Sequence, residues 1–128
     1  MSIGTLYNHF PTRGDLVDAI IPARLAVLDV AADAADPDPD PWSGFVGYAE
    51  TLFALHATDC ALNDVLAQRA RASPRVSEAY HRCLRHVDRL ITRARDSGQL
   101  RDDFTTSDFA ALMWAVSQVI RETADVAP

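Results

Sequence analysis

The chain has 128 residues, 48% of them hydrophobic and 23% charged, with a net charge of −6 at pH 7, enough to bury a core in one or two domains. No apolar run approaches the ~20 residues of a membrane span, and Cys60 and Cys83, the only cysteines, cannot make a disulfide framework. The N-terminus shows no basic segment followed by an apolar one, so the expected compartment is the cytoplasm, with no membrane partner.

Residues Met1 to Phe10, reading Met-Ser-Ile-Gly-Thr-Leu-Tyr-Asn-His-Phe, predict a short helix that turns Ile3, Leu6 and Phe10 inward. Ser2, Thr5, Tyr7, Asn8 and His9 then face outward, a row of hydrogen-bonding groups at the reach a DNA groove requires. Pro11 breaks the chain, and Thr12 with Asp15 forms the cap of a second helix. Leu16, Ile20, Ala23, Val27 and Ala31, widened by Val17, Ile21 and Leu28, predict a helix from Arg13 to about Ala35 with that stripe buried. Pro22 lies inside it and predicts a kink.

The run from Asp36 to Pro41 alternates Asp and Pro and predicts a stiff linker, because each Pro pushes the residue before it into extended conformations. Ser43 is the expected cap of a helix to about Ala57, with Phe45, Ala49, Leu52 and Leu55 or His56 inward and Tyr48 beside them. A shorter helix follows from about Asp59 to Ala72, carrying Leu62, Val65, Leu66 and Arg69. Ser73-Pro74 combines an N-cap with Pro at the first helical position. Val76, Tyr80, Cys83, Val87, Leu90 and Ala94 then mark a helix that Gly98 ends. Thr105 and Asp108 repeat the capping pattern before a last helix to about Ala124, with Phe109, Leu112, Met113, Val116, Val119 and Ile120 inward. No alternating strand pattern appears, so the expected fold class is all-α.

The run Gly4-Thr5-Leu6-Tyr7-Asn8-His9-Phe10, followed by Pro11-Thr12-Arg13, closely resembles the recognition helix of the TetR family of transcriptional regulators. The turn from Gly98 to Asp103, reading Gly-Gln-Leu-Arg-Asp-Asp, followed by a helix rich in Ala, Leu and Trp, is similar to the regulatory domains of that family. In the family the first run is the third helix of a helix-turn-helix domain, so the resemblance implies a longer parent. The expected organisation is a remnant of that domain over residues 1–35 (recognition helix plus connecting helix) and a helical-bundle regulatory domain for ligand binding and dimerisation over 36–128. The resemblance further implies that Thr5, Tyr7, His9 and Arg13 contact phosphates, while Ser2, Ile3 and Asn8 face the base edges. The implied function is a repressor that binds operator DNA as a homodimer and is released by a small amphipathic inducer.

Side chains expected inside the regulatory bundle, Tyr48, Phe53, His56, Tyr80, Cys83, Met113 and Trp114, are the candidates for an inducer pocket, a mostly apolar space with a few polar groups. Each of them also suits ordinary core packing. His56 and Cys60 lie four apart and Cys83 and His86 three apart, but neither pair completes a metal site, so no metal or cofactor is expected. Cys83 sits on an apolar stripe, which disfavours a thiolate, and an enzyme is not expected. Arg82, Arg85, Arg89 and Arg93 form one basic stripe, with pairing to Glu78, Asp88 and Asp96 expected. Near the reading run the basic residues are only Arg13 and Arg24, which is sparse for phosphate neutralisation. The alternative is therefore a helical small-molecule-binding or dimerisation module that does not bind DNA.

Overall fold

Thr12 opens the first described helix: its backbone is extended and its hydroxyl accepts from the Asp15 N–H at 3.0 Å, satisfying one of the amides that a helix start leaves unpaired. The computed structural model describes residues 12–58 and 62–123. Within them lie five helices: α1 (Arg13–Ala35), α2 (Pro41–Thr58), α3 (Leu62–Ala72), α4 (Pro74–Asp96) and α5 (Thr106–Thr123). No strand occurs among the described residues, so the protein is all-α as the periodicity predicts.

The other helix starts follow the same chemistry. Ser73 accepts from the Val76 N–H, with Pro74 opening α4. Thr105 and Asp108 form a complete capping box, each side chain accepting the other's backbone N–H at 3.1 and 2.9 Å,. At the end of α4, Gly98 takes φ +80°, the left-handed conformation glycine adopts without penalty. Gly98 N–H then reaches the Arg95 carbonyl and Gln99 N–H the Ala94 carbonyl, the paired bonds of a Schellman end. The expected cap of α2 moves: Asp40, not Ser43, opens it, accepting from Trp42 N–H at 3.2 Å with Pro41 as the first helical residue. The last Asp-Pro of the expected linker thus acts as Ser73-Pro74 does.

α4 touches each of the other four helices, and its residues Val76, Leu90 and Ile91 are among the most deeply buried, with Leu28 of α1 and Tyr48 of α2. α2 meets the end of α1 closely at Gly44, where a Cβ would stand 2.8 Å from the Ala35 carbonyl oxygen.

Two inner faces differ from the expectation. On α1 the buried residues are Ile21, Leu25, Leu28, Ala32 and Ala35, whereas Ile20 and Val27 lie nearly half exposed and Val30 is 69% exposed. The helix is apolar almost all round, so several stripes fit helical spacing and packing on α2 and α4 selects one turned from the expected stripe. On α5, Phe109, Met113 and Ser117 are buried, while Leu112 and Val119 are exposed. α1 runs unbroken through Pro22.

Candidate functional site

A cavity of about 280 Å³ opens among all five helices. α1 contributes Leu25 and Leu28, α2 Tyr48, Leu52 and His56, α3 Leu62 and Leu66, α4 Tyr80 and Cys83, and α5 Phe109, Met113 and Trp114. The leucines that recur at helical spacing on α1, α2 and α3 form its aliphatic half, because their inner faces converge without filling the centre. Of the sequence candidates, Tyr48, His56, Tyr80, Cys83, Met113 and Trp114 all stand in the wall. Phe53 does not; it is half-buried and packs on the hydrophobic core instead, since a step of one residue from Leu52 turns it about 100° around the helix. Trp114 lies at the rim, 58% exposed. The aliphatic wall went unread because a leucine facing a cavity and one facing a neighbour leave the same sequence pattern.

The polar groups of the wall are few. Tyr48 is 1% exposed, and its hydroxyl has no hydrogen-bond partner among the described residues. Burial, with Cys83 and Asp29 nearby, raises the Tyr48 phenol well above its ordinary pKa, so it stays a neutral donor. Burial likewise pushes the Cys83 thiol up to about 11, which leaves it unreactive near neutral pH. Among the described residues no cluster of three or more His, Cys, Asp or Glu could hold a metal ion.

Behind Tyr48, Arg82, Arg89 and Arg93 of the basic stripe bond to α1 and the turn after it, where the sequence predicts pairing with Glu78, Asp88 and Asp96; of those acids Glu78 adds a lesser electrostatic pull on Arg82. Arg82 Nε donates to Asp29 at 3.0 Å, and Arg89 holds both carboxylate oxygens of Asp36 at 2.8 Å. Arg93 donates to the Ala35 and Asp38 carbonyls. His86 Nδ1 faces Arg89 Nη2 at 3.3 Å and its Nε2 lies 2.8 Å from Asp29. Because a guanidinium can only donate, Nδ1 accepts and the Nε2–H donates to the carboxylate. His86 packs edge-on to Tyr48, with ring centroids 6.4 Å apart. Burial alone would raise the Asp29 carboxyl, but hydrogen bonds from Arg82 and His86 outweigh it and hold the pKa below the usual aspartate range. His86 is thereby engaged away from Cys83.

Ser2, Ile3, Thr5, Tyr7, Asn8 and His9 lie outside the described residues. Arg13, the remaining member of that set, stands exposed at the first position of α1. No described helix is long and apolar enough to cross a membrane.

No curated protein and no solved structure matches the chain. The family model described as "Transcriptional regulator SbtR-like, C-terminal domain" matches residues 40–127, which span α2 to α5. With the all-helical bundle around a central cavity, this match places the protein: the chain belongs to the TetR family of transcription regulators, through a C-terminal domain of the SbtR-like kind.

Proposed function

We propose that the chain is the sensing part of a repressor that holds operator DNA as a homodimer and releases it when a small amphipathic molecule fills the cavity. One observation carries this reading: α1 follows directly on the run from Gly4 to Pro11 and also puts Leu25 and Leu28 into the cavity wall. A single helix therefore adjoins both the reading stretch and the ligand chamber, so a ligand that prefers one placement of α1 changes the affinity for DNA by the same preference. In this reading residues 1–35 form the DNA-contacting region and 36–128 the ligand-binding and dimerisation domain. Thr5, Tyr7, His9 and Arg13 contact phosphates, and Ser2, Ile3 and Asn8 face base edges. The exposed Leu112 and Val119, seven residues apart on one side of α5, support that helix as the dimer surface, since large apolar side chains sharing an exposed face mark an interaction site. The protein works by binding, in the cytoplasm, without a cofactor.

The test is fluorescence anisotropy of the 128-residue chain with random duplex DNA across a salt series. The expected outcome is binding that falls steeply as salt rises, the signature of phosphate contacts. No binding at low salt by a chain with a helical circular-dichroism spectrum would favour a second reading, a ligand-binding or dimerisation module that does not hold DNA. That reading is supported by the engagement of Arg82 and Arg89 with Asp29 and Asp36, which neutralises much of the basic stripe within the molecule.

A further inference from the structure

We propose that the cavity takes an uncharged, largely apolar molecule carrying one hydrogen-bond acceptor, which the Tyr48 hydroxyl meets. The inference rests on the small-molecule reading above and names the chemical class of its ligand.

The size follows from the volume. At about 280 Å³ the space is roughly twice the ~150 Å³ engineered cavity that holds benzene, so it suits a fused bicyclic ring or a medium-length chain. The charge follows from the wall, which contains no Arg, Lys, Asp or Glu; His56 is its one side chain able to become a cation. An ammonium would leave water with no anionic partner in the wall and a carboxylate with His56 alone, and the penalty for burying a poorly paired ion exceeds what apolar contact returns. The nearby charges do not help, because Asp29 and Asp36 are already bonded to Arg82, His86 and Arg89. The single anchor follows from Tyr48, whose almost fully buried hydroxyl finds no acceptor among the described residues. A ligand oxygen beside it would supply the missing bond, and a buried donor left unpaired is what makes such a site discriminate. Tyr80, Phe109 and Trp114 offer ring faces for the apolar remainder,.

The experiment is isothermal titration calorimetry of the full chain with four probes sharing one ring system: naphthalene, 1-naphthol, 1-naphthoate and 1-naphthylmethylammonium. The expected result is that 1-naphthol binds at least tenfold more tightly than either charged probe. Tyr48→Phe is expected to weaken 1-naphthol about tenfold, the scale of one buried hydrogen bond, and to leave naphthalene unchanged. A charged probe that binds as tightly as 1-naphthol overturns the uncharged class while leaving the small-molecule reading standing. Failure of all four probes to bind a chain that is helical by circular dichroism overturns both. If Tyr48→Phe does not fold, the wild-type chain decides the anchor: preference for 1-naphthol over naphthalene supports it, and equal affinities overturn it.

Discussion

Arg69 of α3 grips Asp18 of α1 with two parallel bonds, Nε and Nη2 each 2.7 Å from a carboxylate oxygen. The two residues are 51 positions apart in the chain, and their side chains are 28% and 19% exposed. The pair ties the early turns of α1 to a helix that supplies Leu62 and Leu66 to the cavity wall.

Arg69→Met is therefore expected to lower unfolding stability by about 1 kcal/mol, the upper end for a partly solvated but bidentate pair. The hydrogen bond from Arg69 is the largest influence holding the Asp18 carboxyl below its ordinary pKa, against some opposition from burial. A group whose folded pKa is depressed contributes its stability above the unfolded value and loses it as pH falls through the folded one. Urea unfolding of wild type and variant at pH 7 and again in strong acid checks this: the difference should be present in the first and gone in the second.

Two glycines of α2 should respond to alanine in opposite ways. A Cβ at Gly44 would meet the Ala35 carbonyl at 2.8 Å, whereas one at Gly47 meets nothing within 4 Å. Gly47→Ala should stabilise by roughly 0.5–1 kcal/mol, the ordinary helix gain. In Gly44→Ala the forced shift of the α1 end outweighs that gain, and a net loss of about 1–2 kcal/mol is expected. Thermal unfolding followed by circular dichroism separates the two.

Tyr48→Phe removes a buried hydroxyl with no partner among the described residues and keeps the ring against His86. The ligand-free variant should be as stable as wild type or more stable by about 1 kcal/mol, because the desolvation of that hydroxyl is no longer incurred. A loss beyond 1 kcal/mol in urea would mean that the hydroxyl is satisfied in solution.

With its thiol held near 11 by burial, Cys83 should be alkylated by iodoacetamide at pH 8 at roughly a thousandth of the rate of a fully ionised thiol. The rate should climb about tenfold per pH unit up to pH 10. Peptide mapping by mass spectrometry, which follows the Cys83 peptide separately from that of Cys60, measures it. A rate that is flat with pH would place the thiolate in a charged or wetter setting.

Three helix starts were legible because their chemistry is local: Thr12, Ser73 and Thr105 each bond an amide three residues on. The inner face of α1 was not, since Ile20, Ile21, Leu25, Val27, Leu28 and Val30 leave scarcely any polar side to orient it. Nor were the partners of Arg82 and Arg89, which lie 53 positions away on another helix, while acids on their own helix offered a local alternative. For the cavity, sequence picked out polar and aromatic members such as Tyr48 and Cys83 because those residue types are conspicuous among leucines. It misplaced Phe53, because burial and cavity lining call for the same apolar chemistry.

The bonds from Arg82, Arg89 and Arg93 all land on or just beyond the second half of α1, at Asp29, Ala35, Asp36 and Asp38. Such rungs forbid α1 from sliding along α4 but resist tilting far less, so they act as a pivot near one end of a rod. From Asp29 back to Arg13 the rod measures about 24 Å at 1.5 Å per residue. A tilt of about 5° around that pivot would carry Arg13 by roughly 2 Å, with the Arg69–Asp18 pair as the stay that sets how freely the far end swings.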